Sequence, residues 1–394
     1  MKRTPLAISN IRVRNFKAII DSGAVKLSPL TVFIGNNGSG KSSLMEALGL
    51  FKRLSAEDVD EALSEFRGLL YARHQLAELR TRAARGSHKI EDAKVNQLSF
   101  SVKGSVRVGS GEKKVASLKP YLADVSIANA EGKNQITVAS HSVKLGTARA
   151  KRAVNTPAAG VIQDTLGPFC ARWQFLDLEP HRIRMPRVRR MVKRRARLLS
   201  SGANLAEYLI EMREGYGEEG RRAFDGLVEA LKQVLPYAAD LRPVIRKELE
   251  ETIYLELMEK AGEVGIEVPS WLLSTGTLRI TALLAVLRHP EPPPLVCIEE
   301  IENGLDPRTI QLLVSEIQYA VERRGIQVIA TTHSPYFLDL VPLEAVVFVE
   351  GGKKGPSFTR PADNEQLEGW AEKFSPGKLY SMNVMTGTGS GDAK

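Results

Sequence analysis

Cysteine is nearly absent: Cys170 and Cys297 are the only two thiols in 394 residues. Thiols so distant in sequence make neither a disulfide framework nor a metal cluster, and nothing in them argues for an oxidising compartment. No run reaches about 18 uninterrupted apolar residues, which excludes a spanning helix and leaves no reason to expect a membrane partner. The opening Met1-Lys2-Arg3-Thr4-Pro5 is not followed by an apolar segment, so no secretory signal is expected and the chain is expected in the cytoplasm. No internal repeat is found.

What remains is ordinary for a soluble globular protein: 43% hydrophobic and 26% charged residues. The length suits one large α/β domain with insertions, or two domains. Lys and Arg number 55 against 46 Asp and Glu, a net charge of +9. That suits a polyanionic partner, although where the charge lies matters more than its sum.

Residues 7–14 alternate like a half-buried strand, 24–28 form a second short one, and Leu30-Thr31-Val32-Phe33-Ile34 is an apolar run stopped by glycine. A helix is expected from Lys41 and further helix over 56–86. Residues 96–104, 113–128 and 134–143 predict an antiparallel meander, and 144–160 a basic loop. Strand character resumes over 170–179, and 187–262 is expected to be helical. Three more short apolar strands fall at 295–299, 326–331 and 345–350. Strands alternating with helices predict a mostly parallel α/β sheet. The last fifteen or so residues are small and polar and are expected to be disordered.

The strongest motif is Gly35-Asn36-Asn37-Gly38-Ser39-Gly40-Lys41-Ser42, followed by Ser43, between the apolar run and the helix. It fits the phosphate-loop pattern and its strand–loop–helix setting. Glycines let backbone N–H groups turn inward onto phosphate oxygens, and the helix N-terminus adds its positive end. Lys41 can reach the β- and γ-phosphates of ATP, and the Ser42 hydroxyl can ligate Mg2+.

A second constellation is the apolar run Leu295-Val296-Cys297-Ile298, ending in Glu299 and Glu300. Acids at a buried strand tip are costly without a cation, and Mg2+ is the natural one. Adjacent strand residues point opposite ways, so the two acids should differ in task. Glu299 is expected to support the metal, and Glu300 to polarise a water beside the γ-phosphate.

Three further segments fall in order: Leu273-Ser274-Thr275-Gly276-Thr277 at the start of a helix, Asn303-Gly304-Leu305-Asp306-Pro307 after the acids, and Thr331-Thr332-His333-Ser334-Pro335 after the next strand. With the opening strand, Asn15-Phe16-Lys17 and the phosphate loop, this order resembles the ABC ATPase superfamily, in particular the SMC/RecF/OLD-like heads of the AAA-15 and AAA-21 kind. The resemblance covers residues 7–52 and 170–350. It implies a phosphate-loop NTPase head with a mixed sheet, an antiparallel β meander and an inserted helical lobe. It also implies a homodimer, or a higher even-numbered oligomer, that sandwiches two ATP molecules.

On that resemblance Ser274 and Gly276 form a signature motif that meets the γ-phosphate held by the opposite protomer. An ordinary capped helix would show the same residues. Asp306 is implied to lie across the dimer interface and His333 to sense the γ-phosphate. Gln174 is implied to act as the glutamine that contacts nucleotide and metal. Two departures stand out: Thr275 and Thr277 in the signature, and Glu299 where Asp is usual. The expected division is a first ATPase lobe over 1–180 with a helical insertion at 56–95, a helical lobe over 181–270, a second ATPase lobe over 271–360, and a C-terminal extension over 361–394.

Residues 182–197 (RIRMPRVRRMVKRRAR) hold nine Lys or Arg and no acid. Such a run is a solvated linker or helix face, a contact for nucleic-acid phosphates, or a dock for an acidic protein. Its lack of aromatics predicts salt-sensitive binding with little base readout.

The resulting functional expectation is an ATPase switch for a nucleic-acid-linked process, foremost the ATPase of an anti-phage defence system. A RecF-like repair ATPase, a transporter subunit and a non-hydrolysing scaffold are the alternatives. Because only about forty-five residues follow 345–350, any nuclease-like effector is expected on a separate chain.

Overall fold

The computed structural model describes residues 6–72, 97–110, 113–129, 136–146, 148–150, 159–188, 197–246, 251–261, 264–352 and 355–385. The chain divides into two units, one of residues 1–173 with 343–394 and one of residues 174–342. The N-terminal and C-terminal stretches thus share a unit. The units meet along the chain at Trp173 and Pro342.

The first unit opens with β1 (Asn10–Phe16), β2 (Ile19–Asp21), β3 (Val25–Lys26) and β4 (Leu30–Ile34). Every residue of β4 is buried, as its unbroken β-branched and aromatic run requires. Helix α1 (Lys41–Leu54) follows the phosphate loop, burying Leu44, Met45, Leu48, Phe51 and Leu54 at helical spacing. The expected helical stretch continues as α2 (Val59–Ser64) and α3 (Leu69–Ala72). The rest of the insertion predicted at 56–95 lies outside the described residues.

The meander is present: β5 (Leu98–Ser110), β6 (Lys113–Asn129) and β7 (Ile136–Leu145) pair antiparallel in turn, and β5 pairs β1. β8 (Ala148–Ala150) adds to β7, within the stretch expected to be loop. Helix α4 (Ala159–Cys170) then takes the end of that stretch and the first residue of the strand expected over 170–179. Phe51 of α1 stacks on Trp173, centroids 6.0 Å apart, closing the core under the sheet.

The second unit begins with β9 (Gln174–Leu176), all that remains of that predicted strand, then α5 (Pro180–Ile183) and β10 (Arg187–Val188). Helices α6 (Leu205–Glu214) and α7 (Gly217–Val234) match the helical expectation. Beyond them it fails: β11 (Ala238–Arg246), β12 (Thr252–Ala261) and β13 (Val264–Pro269) form an antiparallel sheet with β10. Leu, Glu, Met and Lys favour helices, which hides the strand. Central β12 buries Ile253 to Leu257 on both faces, so the two-residue alternation is lost. The missed signal is Pro243, which sits opposite Leu255 and could not occupy a helix interior.

Helix α8 (Thr275–Arg288) buries residues from Thr277 to Leu287 all round, between α7 and its next neighbour α9 (Pro307–Arg324). β14 (Leu295–Ile298) lies between β9 and β15 (Gln327–Thr332), parallel to both, and α10 (Pro335–Asp339) follows. The chain then returns to the first unit. There β16 (Val346–Glu350) runs parallel to β4 and pairs antiparallel with β17 (Ser357–Thr359). Short helices α11 (Glu368–Ala371) and α12 (Pro376–Ser381) follow. Residues 386–394, most of the tail expected to be disordered, lie outside the described residues. Among the described residues no helix is long and apolar enough to cross a membrane.

Candidate functional site

In the first unit the phosphate loop connects β4 to α1. Asn36, Asn37 and Gly38 are exposed, whereas Ser39, Gly40 and Lys41 are buried. Gly38 and Gly40 take φ of 74° and 104°, values that turn successive N–H groups to one side of the chain. Gly35 is fixed by close approach: a Cβ there would lie 2.0 Å from the Val349 carbonyl oxygen of β16. Any side chain would push the loop off its strand.

Lys41, 5% exposed, folds its ammonium back onto the loop. Nζ donates to the carbonyls of Gly35 at 2.7 Å and Asn36 at 2.9 Å, and reaches Ser39 Oγ at 3.5 Å. The first turn of α1 contains no acid, and Ser42 is exposed on it beside half-buried Ser43. The returning chain frames the loop: Pro356 backs Gly40, and Tyr380 Oη lies 3.4 Å from Asn36 Oδ1. None of Val349, Pro356 and Tyr380 is marked by a motif. They reach the loop through strand pairing that closes across more than 300 residues of chain.

In the second unit the acids leave β14 as expected. Glu299 N–H donates to the Leu176 carbonyl of β9 at 3.0 Å and its side chain is half-buried. Glu300 is exposed and takes φ 46°, sparsely populated for a non-glycine residue. Its backbone is held from two sides: N–H donates to Thr331 Oγ1 at 2.9 Å, and the carbonyl accepts from Arg279 at 2.9 Å. Its carboxylate accepts from Asn303 Nδ2 at 3.2 Å. A residue kept in such a conformation by its surroundings is a functional candidate.

Arg279 carries no sequence signal of its own. It is 5% exposed on α8, and its second amino group donates to the Leu178 carbonyl at 2.8 Å. Burial pulls its pKa below the usual value, opposed by the charges of Asp177, Glu300 and Glu302.

The register of β9 sets where Gln174 stands relative to the acids. Gln174 lies opposite Val296 and Leu176 opposite Ile298. Glu299 is therefore level with Asp177, and Gln174 lies three residues upstream, about 10 Å along the strand. Its amide also donates to the Leu198 carbonyl at 2.6 Å. Gln174 therefore does not stand beside Glu299 in the sheet. Asp177, exposed at the strand exit, is the polar residue beside Glu299.

Ser274 caps α8, its Oγ accepting from Thr277 N–H at 3.0 Å. Gly276 is glycine for a packing reason: a Cβ would sit 2.6 Å from the Gly304 carbonyl. Helix α8 and the segment after the acids therefore touch backbone to backbone. Asp306 caps α9, its carboxylate accepting from Arg308 N–H at 2.9 Å, Thr309 N–H at 3.2 Å and the Thr309 hydroxyl. The Thr309 hydrogen bond, against partial desolvation, holds its carboxyl below the usual range. His333 is exposed in the loop between β15 and α10, and its N–H donates to Glu302 Oε1 at 2.7 Å.

Among the described residues no cluster of three or more His, Cys, Asp or Glu could hold a metal by itself. Mg2+ takes one or two protein oxygens beside phosphate and water, so the Ser42 hydroxyl and the Glu299 carboxylate are donors of the right kind.

Of the basic segment, Arg182 pairs with Glu179 at 2.8 Å and Arg187 lies in β10. Residues 189–196, which carry five of its nine cations, lie outside the described residues.

Two family models divide the chain. One described as "AAA ATPase domain" matches residues 7–109, and one described as "AAA domain, putative AbiEii toxin, Type IV TA system" matches residues 156–339. No curated protein matches the sequence. An Smc head domain with an extended coiled coil, bound to the C-terminal domain of ScpA and derived from Pyrococcus furiosus, superposes with a TM-score of 0.51 at 15% identity. It covers 94% of this chain and 100% of that one, and so shares the fold. A SmcHead bound to the C-winged helix domain of ScpA gives 0.49 at 15% identity, over 89% and 96% of the two chains. The SMC head domain from Thermotoga maritima gives 0.46 at 12%, over 90% and 98%. The two AAA models thus match the two stretches that carry the phosphate loop and the acidic strand, and the fold is that of an SMC-like ATPase head.

Proposed function

We propose that this chain binds ATP with Mg2+ and hydrolyses it, and that ATP closes a dimer of heads which hydrolysis reopens. Lys41, the loop N–H groups and the start of α1 take the triphosphate. Ser42 and Glu299 hold Mg2+, which supplies charge neutralisation of the phosphates when bound. Glu300 polarises the attacking water, and His333 contacts the terminal phosphate. Ser274 and the N-terminus of α8 complete the site of a second copy.

The observation that favours turnover over simple binding is Glu300. An exposed carboxylate at the tip of a buried strand is kept at φ 46° by Thr331 and Arg279, an arrangement with no evident use in a scaffold. Release of phosphate from ATP by the purified protein with Mg2+, and its loss in Glu300→Gln, test the reading. Parent-rate turnover in that variant removes Glu300 from the role.

The process served is anti-phage defence, with a separate effector chain. The match of residues 156–339 to a model described by a toxin–antitoxin system favours this over RecF-like repair. The basic run at 182–197 supports a nucleic-acid contact within that process. Mass spectrometry of chains that co-purify with the protein distinguishes an effector from replication or repair partners.

A further inference from the structure

The exits of β14 and β15 are joined by three successive rungs. Glu300 N–H meets Thr331 Oγ1 at 2.9 Å, Ile301 N–H meets the Thr331 carbonyl at 3.1 Å, and Glu302 Oε1 receives His333 N–H at 2.7 Å. Only the third is made by a side-chain carboxylate. It holds His333, which has already left the strand.

Glu302 is half-buried, and its second oxygen, Oε2, is enclosed and accepts no hydrogen bond among the described residues. A half-used carboxylate is a costly way to anchor a loop, since its desolvation is only partly offset. Arg279 lies within electrostatic reach of it, and of Glu300 and Asp177. A second tie reinforces the loop: Gln311 Nε2 on α9 donates to Tyr336 Oη at 2.8 Å, three residues beyond His333. The loop carrying His333 and the turn carrying Glu300 are thereby fixed to each other, while both side chains stay exposed.

We propose that Glu302 is a positioning residue that ties the His333 loop to the Glu300 turn, so that the contact to the terminal phosphate and the water-polarising carboxylate move as one piece. This rests on the ATP-hydrolysis reading above. The role belongs to the acceptor atom at full side-chain reach, not to the charge.

Two conservative variants separate those properties. Glu302→Gln keeps an acceptor at the same reach and loses the charge. Glu302→Asp keeps the charge and falls one methylene short. Hydrogen exchange of the His333 amide, measured on the full chain, is expected to stay at the parent level in Glu302→Gln. In Glu302→Asp it is expected to accelerate by roughly tenfold, the loss of one hydrogen bond. In ATP turnover, Glu302→Asp loses roughly tenfold or more in kcat with the Kd for ATP within about twofold, while Glu302→Gln stays within about threefold. Glu302→Asp with His333→Ala is expected to be no slower than His333→Ala alone, because residues acting as a unit are not additive.

Parent-like exchange in Glu302→Asp, multiplicative losses in the double variant, or the reverse ranking of the two single variants would overturn the proposal. A parent protein that turns over no ATP would sink the hydrolysis reading alone. The exchange result would still decide whether Glu302 holds His333.

Discussion

The guanidinium of Arg279 donates to the carbonyl of Glu300 at 2.9 Å, from helix α8, which Ser274 caps. The backbone of the acid is thus anchored to the helix that begins beside Ser274. Leu178 takes the other amino group at 2.8 Å.

Arg279→Met should therefore leave the enclosed Leu178 carbonyl without its donor, while the Glu300 carbonyl keeps the Asn303 N–H at 3.0 Å. At about 1–3 kcal/mol for one enclosed unpaired group, a loss of about 1–3 kcal/mol is expected, at about 2–4 °C in Tm for each kcal/mol. Arg279→Lys should recover only part of it, because one ammonium cannot serve both carbonyls with the geometry of the fork. Thermal unfolding monitored by circular dichroism checks this, and a Tm unchanged in Arg279→Met would remove the anchor.

Lys41→Ala should abolish ATP binding at concentrations that saturate the parent. Each charge-assisted bond to phosphate is worth about 1.5–3 kcal/mol, so affinity should fall by roughly tenfold to a hundredfold or more. Titration calorimetry reads it. Parent affinity in the variant would refute the phosphate-loop assignment.

Asp306 separates two roles by two substitutions. Its carboxylate caps α9, so Asp306→Ala should cost about 1 kcal/mol, while Asp306→Asn, also a good cap, should cost a few tenths. The folded-state pKa is depressed, so the charge contributes stability above the unfolded value of about 3.9 and loses it as pH falls through the folded value. Unfolding free energies measured from pH 7 to 3 should therefore show a steeper acid-side loss for the parent than for Asp306→Asn. If Asp306→Asn slows ATP turnover at parent stability, the residue serves the dimer face as well as the cap.

The phosphate loop, the acidic strand and the capped helices were legible because each is a local pattern whose chemistry fixes its residues. The meander was legible from alternation and turn residues. The register that separates Gln174 from Glu299 was not, since it depends on pairing between strands about 120 residues apart in sequence. Nor were Arg279, Asp177 and Glu302, which join the site by packing and carry no motif of their own. The sheet over 238–269 was hidden by helix-favouring residues whose strand is buried on both faces.

Charge reversal across 187–197 should weaken binding to DNA or RNA and flatten its salt dependence, by about 0.9 in slope for each duplex phosphate that is no longer neutralised. Binding isotherms at several salt concentrations provide the check. Unchanged binding would return the run to a solvated linker.

The sandwich of two triphosphates is tested most directly by the solution mass of Glu300→Gln, from sedimentation with Mg2+ and either ATP or ADP. ATP should double the mass, ADP should not, and adding Ser274→Arg to the same chain should cancel the doubling while leaving ATP binding intact. A Glu300→Gln chain that saturates with ATP and stays at monomer mass, or a doubling that survives Ser274→Arg, would contradict it.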